Sequence, residues 1–334
     1  MDLQFGVFIL QGWKTELSTI SDPVEKWSKS IETAQLAESL GYDSLWVYDH
    51  LWAIRYPPDR SHDDAPVPAH EAMFECWTTL AAMSQQTTNI KLGQMVGCAL
   101  YREPALLAKI TSNIDVMSGG RLIWGIGAGW YEREFAGYGY RFPSAADRVR
   151  MLEETVEIVT AMWSEPEVDY QGRYYELKGA VCDPKPVQSP RPQVLIGGAG
   201  EQMTLRVVAR LADASNFGGP PEEFSHKAGV LADHCRGVGR DYDEIQKTWS
   251  PELFIREDEK EIIDGGSRSY APAALDSWAA SNLVGTPEQV AERIQTYIDL
   301  GCTGFYPWCS AYPETESMRL LADLVIPEIR RANA

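Results

Sequence analysis

Strand-like and helix-like stretches alternate along the whole of this chain, and that alternation limits the fold more than any single motif. Apolar, strand-favouring runs fall at 4–9, 44–49, 90–97, 122–128, 193–197, 213–218, 248–255 and 303–308. Between them lie helical patterns, at about 72–86, 104–118, 145–163, 203–212 and 222–237, with a last one at 315–331. Two further helices announce their own ends. In SDPVEKWSKSIETAQLAESLG, Asp22 can cap, Pro23 suits the first helical position and Gly41 the stop. In GTPEQVAERIQTYIDLG, Thr286 and Gln289 make a capping box and Gly301 closes the helix. About eight strands alternating with about eight helices predict a parallel sheet, and near-continuous apolar strands predict burial on both faces. Eight such units favour a closed (β/α)8 barrel, read as one domain over 1–334. The extra length sits in insertions at about 51–71, 129–144, 165–192 and 256–283, whose Pro, Gly and charge predict irregular structure. The third reads as a hairpin turning at Gln171-Gly172.

In a barrel the loops after the strands gather at one mouth, and polar residues at strand C-terminal ends are candidates for chemistry. The second strand, SLWVYDHL, ends on Asp49 and His50. Histidine exchanges protons near neutral pH, and a nearby carboxylate can orient it. Neighbours on a strand face opposite ways, so the two need not touch. The competing reading is a strand that has simply reached water.

The composition narrows the alternatives. A net charge of −18 argues against a nucleic-acid partner, which needs a basic face. No run approaches the length of a membrane span, and MDLQFGVFIL lacks the basic start of a signal peptide, so a cytoplasmic protein is expected. The six cysteines form no C-x-x-C pair and the five histidines no H-E-x-x-H spacing, so no metal site is predicted.

Two glycine clusters follow strands. GIGAG (125–129) fails the G-x-G-x-x-G form because position 130 is Trp. IGGAGEQMTLR is better placed: strand, glycine turn, then helix, where backbone N–H groups can cradle a phosphate. A plain turn is the alternative. Trp13, Trp52 and Trp130 lie near strand ends, where aromatic walls suit a flat ligand, though rim packing explains any one of them.

Together, LAESLGYDSLWVYDHL (36–51), the phrase P-A-L-L-A-K…D-x-x-S-G-G-R-L…G-x-G-A-G-W within 90–139, the stretch 168–217 and VGTPEQVAERIQTYIDLGCTGFY resemble the bacterial luciferase-like oxidoreductases. The branch most similar is the one that uses 8-hydroxy-5-deazaflavin, coenzyme F420. That resemblance implies the TIM barrel, a hydride-transferring enzyme and coenzyme F420 as cofactor. It implies His50 as proton donor or acceptor, with Asp49 holding ring or imidazole. It implies a non-proline cis peptide at Gln94–Met95 behind the ring. Gly97, Ala128 and Gly129 would lie along the ring and its side chain, and Gly197, Gly198, Ala199 and Gly200 against the phosphate. Arg55, Arg60 and Lys178 are candidates for an acidic cofactor tail. A homodimer is the assembly the resemblance points to, with a small molecule as substrate.

One position departs from the family. Sugar-phosphate dehydrogenases of this branch carry a glutamate where this chain has Trp130, with Glu132 and Glu134 shifted nearby. A pocket walled by Trp13, Trp52 and Trp130 and bordered by Glu132 implies a less polar substrate, such as an imine, enone, alcohol or nitroarene. The alternative within the family is an FMN-dependent monooxygenase using reduced flavin and oxygen. A third reading is a barrel that binds cofactor without turnover.

Overall fold

The computed structural model describes residues 2–54, 70–269 and 277–334, with the side chains of 266–269 left aside. Its centre is a ring of eight parallel staves: β1 (Gln4–Phe8), β2 (Ser44–Val47), β3 (Lys91–Gln94, resumed at Gly97–Cys98), β4 (Leu122–Gly127), β5 (Gln193–Gly197), β6 (Ala214–Asn216), β7 (Gln246–Trp249) and β8 (Cys302–Phe305). Each pairs with the next, and Gln4↔Gly304 and Phe5↔Phe305 close the ring between β1 and β8. This is a (β/α)8 TIM barrel. Trp46, fully buried, packs on Tyr306 with ring centroids 4.5 Å apart, so the barrel is a filled core and not a pore.

The caps read from the sequence form as expected. Asp22 accepts from the N–H groups of Val24 and Glu25 at the start of α1 (Pro23–Ser39). After α2 (Cys76–Gln86) and α3 (Pro104–Ser118), a short helix α4 (Glu132–Gly137) precedes α5 (Ala145–Ser164), which Ser144 caps. Then come α6 (Thr204–Leu211), α7 (Pro221–Val238), α8 (Glu259–Ser269) and α9 (Pro287–Asp299), the last with its Thr286–Gln289 capping box. The final helical run, from Glu316 to Ala332, contains a π turn at Leu321–Val325 just before Pro327, which has no N–H for the ladder. No helix among the described residues is long and apolar enough to cross a membrane.

Several expectations change. The runs 248–255 and 303–308 each split at a proline. Glu252–Ile255 and Trp308–Cys309 leave the barrel past Pro251 and Pro307 and join Leu283–Gly285 in a separate three-stranded parallel sheet. The hairpin in 165–192 pairs Tyr170 with Leu177 and Gln171 with Glu176, so its turn is Gly172–Tyr175 and not Gln171-Gly172. The Glu154 carboxylate accepts the N–H groups of Arg173, Tyr174 and Tyr175 there, which holds the wider loop. The segments read as irregular, 129–144 and 256–283, contain α4 and α8. The cis peptide is Met95–Val96, one residue later than Gln94–Met95. The ladder to β2 runs through Gln94 and on to the Met95 N–H, which donates to Val47 O at 2.9 Å, so the departure from the sheet begins only after it.

Candidate active site

The mouth holds a cavity of about 350 Å³ among the ends of β1 to β6. His50 lines it, as do Trp13, Asp49, Met95, Gly97, Ala128, Gly129, Trp130, Gly197 and Gly198. Gln94, fully buried, is not among its lining residues; nor are Ala199, Gly200, Trp52 and exposed Glu132. Trp52 packs instead near Tyr131 and Tyr138. Of the basic candidates, Arg55 and Arg60 lie outside the described residues, and Lys178 is exposed on the hairpin beside Glu176.

The floor explains its glycines by packing. Val96 turns into the barrel, and a Cβ on either Gly127 or Gly197 would come within 2.7 Å of its methyls. Both positions are therefore closed to larger residues whatever binds above them. Gly127→Ala should cost about 1–3 kcal/mol of stability. Adding Val96→Ala should restore most of it in urea unfolding, because the space given up by one methyl group is taken by the other.

Asp49 and His50 lie just past the end of β2 at Val47 and take different partners, although both line the cavity. The Asp49 carboxylate accepts both arms of Arg102 (2.7 and 3.0 Å) and the Cys98 N–H (2.9 Å). Arg102 also reaches Glu75 at 2.7 Å, tying the start of α2 to the ends of β2 and β3. Burial and the Asp49 charge push the Cys98 thiol up to about 12, so it is no thiolate at neutral pH.

His50 has a different partner. Its Nδ1 lies 2.8 Å from the Glu134 carboxylate, which is completely buried and comes from α4. The same carboxylate accepts from the Leu51 N–H (2.6 Å) and the Tyr101 hydroxyl (2.8 Å). Burial alone would raise the Glu134 carboxyl, but these bonds and the facing imidazole outweigh it and hold it below its ordinary 4.5. The sign follows: Glu134 contributes stability that is full above pH 4.5 and lost as pH falls through its lower folded value. In urea unfolding, the stability gap between wild type and Glu134→Gln should therefore narrow below pH 4.5.

The imidazole plane is set by aromatic rings. Trp13 stacks on His50 at 4.3 Å with 4° between planes. Tyr48 packs on Trp13 at 4.3 Å and Phe8 on Tyr48 at 4.3 Å, a column rising from the barrel core to the mouth. Three N–H groups, from Gln11, Gly12 and Lys14, converge on the buried Glu16 carboxylate and hold the loop that carries Trp13. Trp130, 55% exposed, meets His50 edge-on at 5.9 Å and stacks on Tyr131.

The glycine turn after β5 leads into α6 as the sequence implied. Gly198 has a φ of +131°, and Thr204, at the head of α6, lines the cavity. A Cβ on Gly200 would sit 2.8 Å from the Thr204 hydroxyl, so only glycine leaves that oxygen clear. An eight-residue helix starting there, with no acid in its first turn, suits a phosphate.

A family model for luciferase-like monooxygenases matches residues 3–273. The chain belongs to that family. The protein is 25% identical over 324 residues to an F420-dependent glucose-6-phosphate dehydrogenase of Microbacterium testaceum (strain StLB037), covering 89% of this chain and 91% of the relative. An F420-dependent secondary alcohol dehydrogenase, solved with an F420-acetone adduct, superposes with a TM-score of 0.79 at 19% identity, over 99% of this chain and 100% of the other. EDTA monooxygenase from Chelativorans sp. BNC1 superposes with a TM-score of 0.80 at 16% identity, over 99% of this chain and 94% of the other. At these identities the superpositions speak for the fold.

Proposed function

We propose that the protein is a coenzyme F420-dependent oxidoreductase that moves a hydride between the deazaflavin and a small organic substrate, with His50 exchanging the proton. The observation that carries this reading is the setting of His50. One ring nitrogen is bound to Glu134, one face is covered by Trp13, and His50 lines a cavity shared with glycine, alanine and valine residues. A full-length likeness to an F420-dependent dehydrogenase supports it.

The residues present fit the cofactor. Gly97, Ala128 and Gly129, with the Met95–Val96 turn, offer a flat apolar surface for the deazaflavin ring. Gly197 and Gly198 border the cavity beside Thr204, while the Gly198 N–H is spent on Asn216 O. The Thr204 hydroxyl, with the N–H groups at the head of α6 and at the Ala199-Gly200 turn just outside the lining, would serve the phosphate. Bound there, the deazaflavin supplies a two-electron hydride donor or acceptor. Asp49, committed to Arg102, serves by fixing the loop from which His50 projects.

For the substrate, the cavity's described lining includes Trp13 and Trp130 but no lysine or arginine. A phosphorylated sugar finds no cationic partner among those residues. A planar or weakly polar imine, enone, alcohol or nitroarene fits better, against the exposed Trp130 indole, since Trp13 is taken up by His50 and Tyr48.

The test is a paired titration following tryptophan fluorescence. Oxidised deazaflavin should quench with saturation, and FMN should bind at least about tenfold more weakly, a gap of about 1.4 kcal/mol. Tight FMN binding with weak deazaflavin binding would overturn the assignment in favour of monooxygenation, and oxygen uptake with reduced FMN would then be measured.

A further inference from the structure

We infer that Glu134 is a positioning residue that fixes the tautomer and the orientation of His50, so that the proton step runs through Nε2. Three observations carry this. First, the contact is between Nδ1 and a carboxylate held ionised, which can only accept, so Nδ1 must bear the proton. Nε2 is then the nitrogen left to give or take a proton at the cavity.

Second, the carboxylate is itself immobilised. Tyr101 Oη and the Leu51 N–H donate to its two oxygens, and Trp52 N approaches at 3.4 Å. Burial and the Glu134 charge push the Tyr101 phenol far above its ordinary range, so it remains a donor. Third, no lysine or arginine pairs with this fully buried carboxylate among the described residues; the partner able to carry a positive charge is the imidazole. A buried charge is costly unless paired, so Glu134 favours whichever state of His50 answers it. The hydrogen bond sets one edge of the ring and the Trp13 stack sets its plane, which together leave one orientation.

In the reducing direction, the imidazolium passes its Nε2 proton to the substrate heteroatom as hydride reaches carbon from the cofactor. Neutral imidazole remains, still protonated on Nδ1. In the oxidising direction Nε2 takes the proton. The catalytic consequence rests on the function proposed above; the tautomer does not, and the two are tested separately.

The tautomer is read in cofactor-free protein labelled with 15N-histidine, by two-bond proton–nitrogen correlation, with His50 assigned from its loss in His50→Gln. In the neutral imidazole, the expected signature is a protonated Nδ1 and a bare Nε2. Glu134→Gln should shift His50 toward the other tautomer, because a side-chain amide can donate to Nδ1. In turnover, Glu134→Gln should lower kcat by about 100-fold, with the substrate KM within about threefold. Tyr101→Phe keeps the carboxylate and should preserve the tautomer with a loss below about tenfold. A bare Nδ1 in wild type overturns the inference, as does Glu134→Gln with unchanged tautomer and kcat. If Glu134→Gln does not fold, the wild-type and Tyr101→Phe spectra still decide the tautomer. If His50→Gln retains full turnover while Nδ1 is protonated as expected, the function assigned to His50 fails and Glu134 has no catalytic consequence.

Discussion

Replacing His50 with glutamine should lower kcat by about 10²–10⁴-fold while leaving deazaflavin affinity within about threefold. Glutamine is the informative choice. Its amide can still donate to the buried Glu134 carboxylate, so the fold keeps a partner for that charge. Alanine would leave Glu134 with only the Tyr101 hydroxyl and backbone N–H groups, and lost activity would then be confounded with lost stability. Single-turnover reduction of bound cofactor separates the steps. The rate of hydride transfer should fall, and the fluorescence titration should not shift. Full turnover in His50→Gln would remove the proton role from this residue.

Arg102→Met should be the most destabilising of the changes considered. Arg102 binds Asp49 with both arms, and the Asp49 side chain is 1% exposed. Removing the cation leaves a buried carboxylate with only the Cys98 N–H, a situation that costs about 3–5 kcal/mol. Thermal unfolding should fall by roughly 4–7 °C. The double variant Asp49→Asn/Arg102→Met should recover a large part of that loss, because no charge is then left unpaired. Equal instability of single and double variants would show that the Arg102 guanidinium over the Trp77 ring, 5.6 Å from its centroid, matters more than the unpaired Asp49 charge.

What could be read in the sequence was what depends on near neighbours. Asp22, Ser144 and the Thr286–Gln289 box act within a few residues, and each forms as expected. The strand rhythm was equally legible, because each stave is short, apolar and flanked by its own turn residues. The second stave stops at Val47, two residues short of the run read from the sequence, so Asp49 and His50 sit beyond it and strand alternation does not set their directions. Nor were their partners legible. Arg102 lies 53 residues beyond Asp49, and Glu134 lies 84 beyond His50, distances at which only the closed barrel brings side chains together.

Glu134 also sat in a stretch read as an irregular insertion. A signal was present: Tyr131 and Phe135, four apart and both buried, mark one face of a helical turn that could have separated Glu134 from exposed Glu132. The glycines have a packing reason that the sequence did not show. A Cβ on Gly127 or Gly197 would meet the Val96 methyls, and one on Gly127 would also press on Gly197 O, whatever either glycine does for a ligand. Nothing near Val96 in the sequence reveals that it turns inward, since the glycines it packs on, Gly125, Gly127 and Gly197, come from two other staves.

The small sheet outside the barrel has a consequence for how this protein can change. Glu252–Ile255, Leu283–Gly285 and Trp308–Cys309 pair with one another and not with the staves, and Phe254, Ile262, Trp278 and Val284 give that annex a core of its own. The long stretch from Arg256 to Asn282 is therefore anchored to a platform that contributes no stave to the ring. Ile262 and Trp278 belong to that stretch and to the annex core, so changes that spare these two can be taken up by the annex while the eight staves and the His50–Glu134 pair keep their register. Variation in this part of the chain and constancy of the proton-handling pair are thus assigned to separate pieces of polypeptide.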